Sequence, residues 1–142
     1  MKLSWTSFKI SVAGARLSHL VQKDKIWDHG TMVEQVKNIF YKMEKAEQRA
    51  DADFVKRNVT EKVYRELVHS FQTKKGKPVF GTGMLTEVSI IEVKEKNNKT
   101  PDRFTALIRG KHRNAKGNSI LNFSRRLQFI RKGDWWLLDE MK

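Results

Sequence analysis

The stretch RFTALIRGKHR, residues 103–113, decides the fold class of this chain of 142 residues. Phe104, Ala106 and Ile108 alternate with polar or basic residues, and Leu107 is the exception. A period of two is typical of a strand with one buried face and one exposed face. The stretch therefore predicts a strand whose exposed face is basic.

Three further runs predict strands around this one. Met84 to Glu95 is rich in β-branched residues, Ile120 to Lys132 alternates again, and Trp135 to Met141 follows the turn Lys132-Gly133-Asp134. We also expect a hairpin turn at 114–118, because Gly117 and two asparagines interrupt the alternation there. The four strands together predict an antiparallel meander.

The first half of the chain has a helical period instead. Apolar residues recur at three- and four-residue steps from Met32 to Ala50, and a capping box of Thr31 and Glu34 predicts that this helix begins at Thr31. A second helix is expected to end at Thr73, before a glycine-rich connection at 74–83. Helices followed by an antiparallel meander predict an α+β fold and not a doubly wound parallel sheet.

The first 25 residues are predicted to form a basic amphipathic helix, followed by one α+β domain at 26–142. Positions 1–23 carry no acidic residue, and Lys9 and Arg16 interrupt the apolar run that a secretory signal needs. Two apolar stripes adjoin on this helix: Trp5, Phe8, Val12 and Ala15 form one, and Ile10, Ala13, Leu17 and Leu20 form the other.

Two interpretations of this helix stay open. It docks on its own domain, or it serves as a membrane-surface or targeting helix. The two interpretations do not exclude each other. The residues expected to contact a membrane are Trp5, Phe8, Lys9 and Arg16.

The basic residues are concentrated in the predicted sheet. Lysine and arginine number 29 and aspartate and glutamate 16, which gives a net charge of +13. Residues 94–132 contain twelve basic and two acidic residues, so this segment contributes +10. Alternation places Arg103, Arg109, Lys111 and Arg113 on one face. The next strand adds either Arg125 and Arg131 or Arg126 and Lys132, depending on the register.

This basic face is the candidate surface for an anionic partner. Like charges side by side on strands destabilise a sheet, which favours a bound partner over a face that is merely solvated and protects a sheet edge. The candidate residues are Arg103, Arg109, Lys111, Arg113, Arg125 and Arg131.

The composition argues against several kinds of chemistry. The chain has no cysteine, which excludes disulfides and thiolate catalysis and fits a reducing compartment, cytoplasmic or like the mitochondrial matrix. The longest stretch without a charge, Pro78 to Thr86, is too short to span a membrane. The four histidines lack metal-ligand spacing, and no nucleophile motif is present. We therefore expect no metal, cofactor or catalytic site.

Several motifs resemble the C-terminal domain of the mitochondrial inner-membrane translocase subunit forty-four. They are Ile26-Trp27, the helix from Met32 to Ala50, Asp53-Phe54, Asn58-Val-Thr60-Glu61 and Trp135-Trp136-Leu137-Leu138. The resemblance implies the conical fold of nuclear-transport-factor-two-like proteins, with a pocket between the helices and the concave sheet. The candidates for lining that pocket are Phe40, Met43, Tyr64, Phe104 and Trp135.

The resemblance also implies a function. It points to a non-enzymatic adaptor at a membrane surface, peripheral at an inner membrane and related to protein translocation, whose partner is anionic phospholipid or an acidic protein. The long N-terminal chaperone-binding region of the translocase subunit is absent from this sequence. A stand-alone bacterial relative is therefore the expected kind of protein.

Two other classes of function stay open. RNA or ribosome binding would use the basic sheet, with Phe104, Phe123 and Phe129 as stacking platforms for bases. A pocket enzyme of the ketosteroid isomerase-like type would need an acid or base among apolar residues. The candidates for that group are Asp53, His69 and His112.

Overall fold

The structure is a computed structural model that describes residues 4–73, 83–113 and 119–142. The glycine-rich connection expected at 74–83 therefore lies, except for Gly83, outside the described residues. The hairpin turn expected at 114–118 lies outside them entirely.

Three helices precede four strands. The helices are α1 (Trp5–Leu20), α2 (His29–Arg49) and α3 (Glu61–Thr73), with short 3₁₀ turns at Lys25–Trp27 and Ala52–Val55. The strands are β1 (Gly83–Lys94), β2 (Arg103–Arg113), β3 (Ile120–Lys132) and β4 (Trp135–Met141).

The strands form one antiparallel sheet in the order β1-β2-β3-β4. Irregularities in register interrupt β1 twice and the β3–β4 pairing once. Bulges of this kind bend a strand and increase its twist, so the sheet curves around the helices. The predicted α+β fold, with helices followed by a curved antiparallel meander, is confirmed.

Helix α2 begins two residues earlier than the sequence predicted. Asp28 is the N-cap, and its Oδ2 accepts hydrogen bonds from the backbone N–H of Thr31 at 2.9 Å and from the Thr31 hydroxyl at 2.8 Å. Thr31 is therefore in the third helical position, and it is not the cap. The Asp28 carboxylate also lies at the positive end of the helix dipole, and its hydrogen bonds to Thr31 lower its pKa.

An aromatic cluster joins the helical layer to the sheet. Trp27 meets Trp136 edge-on at 5.2 Å between ring centroids, and Trp136 meets Phe104 edge-on at 4.8 Å. Phe104 in turn stacks on Phe129 at 4.8 Å. All four rings are buried. Edge-to-face and offset stacks of this size add to the hydrophobic free energy of burying the rings.

Helix α1 docks on the domain through one of its two stripes. Ala13, Leu17 and Leu20 are buried in the same core as α2 and the sheet. The helix packs along β1, and Arg16 pairs with Glu95 just beyond the end of that strand at 3.6 Å. The docked helix thus lies beside β1, one of the two outermost strands of the sheet.

Candidate anionic-partner surface

The sheet has an inner face, packed on the helices, and an outer face. On β2, Phe104, Ala106 and Ile108 belong to the core, so the residues between them project from the outer face. The strand register places eight basic and three acidic residues there, a net charge of +5. They are Lys94, Arg103, Arg109, Lys111, Arg113, Arg126, Lys132 and Lys142, with Glu87, Glu92 and Glu140.

Only part of this charge is neutralised locally. Three pairs form across or along the strands, Arg109 with Glu87 at 3.6 Å, Lys94 with Glu92 at 3.3 Å and Lys142 with Glu140 at 3.4 Å. These side chains are solvent-accessible, so the pairs hold weakly. Five other cations have no carboxylate within ion-pair distance among the residues that the structure describes. They are Arg103, Lys111, Arg113, Arg126 and Lys132.

Two residues proposed for this surface lie on the other face of the sheet. The register pairs Ile108 with Arg125 and Leu107 with Arg126, which turns Arg125 toward the helices and Arg126 outward. Arg131 is on the same side as Arg125, three steps of two residues further on. Of the two sets that the sequence left open, Arg126 and Lys132 therefore belong to the outer face. A slip of one residue exchanges the sets, and β3 alone does not reveal its register.

Arg131 ties three segments of the chain together. Its Nη1 lies 2.6 Å from Asp24 Oδ2 and 3.1 Å from Asp102 Oδ2, and its Nε donates to the Gly133 carbonyl at 2.6 Å. The hydrogen bond from Arg131 lowers the pKa of Asp24, and the same bond raises the pKa of Arg131. This guanidinium is engaged inside the protein, so it is not available to a partner.

Helix α1 presents an apolar stripe to solvent. Trp5, Phe8 and Val12 are 67%, 51% and 44% exposed, on the side of the helix away from its docked stripe. The Trp5 and Phe8 rings stack at 5.4 Å, and Lys9 Nζ lies 5.7 Å from the centroid of the Trp5 ring. Docking on the domain and contact with a membrane are thus both compatible with the structure, because one stripe of α1 is buried and the other stripe is exposed.

A shallow cavity connects α1 with the outer face. Its volume is about 220 Å³, and Lys9 of α1 contributes to its wall together with residues from all four strands and Lys142. Lys9 therefore lies between the Trp5 ring and the basic outer face of the sheet. The sheet residues around the cavity are Ile91, Glu92, Thr105, Arg126, Gln128 and Glu140.

The expected pocket between helices and sheet is filled by side chains. Phe40, Met43 and Phe104 are at most 1% exposed, and Phe40 stacks on Phe123 at 5.9 Å. These three are core residues and do not line a pocket. They were misassigned because the sequence shows which side of a helix or strand is apolar. It does not show how closely the helices pack on the sheet, and so whether a pocket remains between them.

The other two pocket candidates lie near the surface. The Tyr64 hydroxyl donates a hydrogen bond to Asp53, and Lys56 lies over the Tyr64 ring at 5.2 Å. The carboxylate of Asp53 raises the pKa of Tyr64 through this bond. Trp135 lines a crevice of about 50 Å³ between β4 and α2, beside Gln35 and Asn38.

Neither a metal cluster nor a spanning helix is found in the described ranges. No group of three or more histidine, aspartate and glutamate side chains is arranged to hold a metal ion in 4–73, 83–113 and 119–142. No helix within the same ranges is both long and apolar enough to cross a membrane.

Comparison with known proteins gives distant structural similarity alone. No protein-family model matches the sequence, and no curated protein matches it. A solved NTF-2-like protein of unknown function from Shewanella oneidensis MR-1 is 13% identical, with a TM-score of 0.45 over 75% of this chain and 98% of that one. A SEC-C motif containing protein from Rhodopseudomonas palustris is 15% identical, with a TM-score of 0.41 over 69% and 70%.

The structure shows helices packed on a curved four-stranded antiparallel meander, and assignment to the nuclear-transport-factor-two-like superfamily stays a prediction. Membership of the translocase-subunit family stays a prediction.

Proposed function

We propose that this chain is a non-enzymatic binding module that attaches reversibly to anionic phospholipid surfaces. The outer face of the sheet supplies the positive charge, and the exposed stripe of α1 supplies apolar side chains for the interface. The observation that carries the proposal is the two-sided character of α1. Its docked stripe fixes the helix on the domain, while Trp5 and Phe8 stay in solvent beside Lys9.

The charges are sufficient for reversible attachment. Each basic residue held near an anionic leaflet contributes about 1 kcal/mol, and the attraction falls off within a Debye length of about 8 Å at physiological salt. Five outer-face cations without an internal partner, together with Lys9, therefore support binding that weakens as salt is added. Tryptophan and phenylalanine side chains at the headgroup level add an apolar contribution that salt does not screen.

The test is flotation of the purified protein with vesicles. Vesicles that contain phosphatidylglycerol should carry the protein upward at low salt and carry less of it at about 0.15 M salt, whereas phosphatidylcholine vesicles should leave it behind. Equal flotation with both lipids, or flotation that salt does not change, would contradict the electrostatic part of the proposal. A lack of flotation with either lipid would contradict the proposal as a whole.

Two more specific proposals concern the cellular role and the location of the protein. The resemblance to the translocase subunit suggests that membrane attachment serves protein translocation, with an acidic protein as a further partner. It also suggests a peripheral position at an inner membrane. Both depend on the family resemblance and not on the geometry of the outer face, whereas a reducing compartment is proposed from the absence of cysteine.

RNA binding has less support from the geometry. Phe104 and Phe129 are buried on the inner face, and Phe123 packs against Phe40 there. These rings are therefore unavailable to stack on bases at the basic outer face, which leaves RNA with phosphate contacts alone. If the protein binds RNA, we expect binding without sequence preference and with a steep salt dependence.

A pocket enzyme also has less support. Asp53 and His69 are exposed, and Phe40, Met43 and Phe104 fill the space where a substrate would sit. His112 lies on the inner face beside the Phe123 ring, at 5.9 Å between centroids. A general acid or base must reach a substrate bound in a cleft, and the positions of these residues do not provide such a cleft.

A further inference from the structure

Strand β3 is longer than the strand that pairs with it on one side. β2 pairs with β3 from Ile120 to Ile130, whereas β4 pairs with it only from Leu127 to Lys132. One additional backbone pair joins Arg126 to Lys142, just after β4. From Arg125 back to Ile120, no described strand pairs with this side of β3.

The direction of the unpaired backbone groups follows from that last pair. The N–H of Arg126 donates to the Lys142 carbonyl and the N–H of Lys142 donates to the Arg126 carbonyl, both at 2.9 Å. Backbone groups point alternately to the two sides of a strand, so the N–H and C=O of Ser124, Asn122 and Ile120 point the same way as those of Arg126. These three side chains are exposed. We call the segment 120–124 on this side of β3 the open edge.

Two other parts of the sheet margin have described neighbours. On β4, the N–H of Thr60 donates to the Leu138 carbonyl at 2.9 Å, and the N–H of Leu138 donates to the Asn58 carbonyl at 3.0 Å. Helix α1 packs along β1. Unpaired edges are sites where another extended segment can add, and proteins usually cover or shorten them. The open edge is therefore a part of the described sheet margin that offers a template for a new strand.

The charges around the open edge select an acidic occupant. On the outer face, Arg109 and Lys111 of β2 stand directly behind the short side chains of Ser124 and Asn122. Neighbouring strands are about 4.8 Å apart, so long basic side chains can reach over these short ones to a strand added beyond them. Arg126 adds a cation at the end of the segment. A second copy of this chain would bring the same cations together, which argues against self-pairing.

We propose that the open edge binds an extended acidic segment of a partner protein by strand addition, antiparallel to β3 and in line with β4. Partner residues opposite Ile120, Asn122 and Ser124 place acidic side chains on the outer face. The residues between them point to the inner face, where Leu121 is 45% exposed beside Phe123. The partner segment therefore alternates acidic and apolar residues. This proposal shares Lys111 and Arg126 with the surface proposed for membrane attachment, but its backbone template is the edge of β3, whereas α1 lies along β1.

The probe is a fluorescein-labelled peptide of sequence Glu-Val-Glu-Val-Glu-Val-Glu, and binding is measured by fluorescence anisotropy. The first control is the same peptide with its glutamates N-methylated, which removes the N–H groups that face β3 and keeps every charge. The second control is a peptide with lysine in place of glutamate. Strand addition predicts saturable binding of the first peptide, weakening of about tenfold or more on N-methylation, and no binding of the lysine peptide.

Ser124→Pro and Ser124→Ala form the matched pair of protein variants. Proline removes an N–H that points away from β2, a position where an edge strand tolerates it, and alanine keeps that N–H. We expect about tenfold weaker peptide binding for Ser124→Pro and unchanged binding for Ser124→Ala. Equal binding of the N-methylated peptide, or equal binding by both variants, would overturn the proposal in favour of simple charge attraction. Absence of any binding by the Glu-Val peptide would overturn it as well.

Amide hydrogen exchange tests the same geometry without a variant. In the free protein the amides of Asn122 and Ser124 should exchange quickly, whereas those of Phe123 and Arg125, which point to β2, should exchange slowly. The peptide should slow exchange at Asn122 and Ser124. Peptide binding that leaves these two amides unprotected would overturn strand addition. Vesicle flotation by Ser124→Pro should be unchanged, so failure of either proposal can be told from failure of the other.

Discussion

Arg131 shows how one residue can look like part of a binding surface in the sequence and be structural in the fold. It stands in a run of basic residues, yet it bonds Asp24, before α2, and Asp102, before β2. The Asp102 side chain is largely buried and also accepts a hydrogen bond from the Lys96 N–H at 2.6 Å. A buried carboxylate needs such partners, because an unpaired buried charge is costly.

We predict that Arg131→Met destabilises the protein by about 3 kcal/mol, because Asp102 loses the guanidinium that compensates its charge. Urea unfolding followed by tryptophan fluorescence measures the change. Arg126→Met is the matched control, since Arg126 is exposed on the outer face and should change stability by less than about 0.5 kcal/mol. Equal losses of stability in the two variants would show that the bonds of Arg131 to Asp24 and Asp102 do not stabilise the fold.

For helices and strands, the sequence predicted the features that depend on residues close together in the chain. The bounds of β2, β3 and β4 are as predicted, because alternation is visible within each strand. Four of the six proposed cations, Arg103, Arg109, Lys111 and Arg113, share a face because they lie on one strand. Arg125 was misplaced because the pairing of β3 with β2 is a non-local property. The filled pocket around Phe40 is also non-local, since it depends on how closely α2 packs on the sheet.

Helix α1 is the element whose two stripes can be tested separately. Leu17→Ala should destabilise the protein by about 3 kcal/mol, because it removes a buried side chain from the core. The double variant Trp5→Ser, Phe8→Ser should change stability by less than about 1 kcal/mol and lower flotation with anionic vesicles about tenfold. Thermal unfolding and flotation measure the two effects. If the double variant unfolded the protein, the assignment of Trp5 and Phe8 to the exposed stripe would be wrong.

At the scale of the whole molecule, the charge is distributed unevenly. Residues 31–73 carry eight basic and seven acidic residues, whereas the outer face of the sheet carries a net charge of +5. A protein with this asymmetry turns its basic side toward an anionic surface before contact, and added salt weakens that orientation. Total charge alone would attract the molecule in any orientation. We therefore propose that attachment depends on where the charge lies on the molecule, and not only on its sum.

The most direct measurement compares two double variants of equal charge in flotation with phosphatidylglycerol vesicles at low salt. Arg103→Glu with Arg126→Glu reverses two unpaired cations of the outer face, and Lys42→Glu with Lys45→Glu makes the same change in net charge on exposed positions of α2. We expect the outer-face variant to lose at least about tenfold in vesicle binding and the α2 variant to stay close to the wild type. Equal loss by both variants would contradict attachment through the outer face, because attraction would then follow net charge alone.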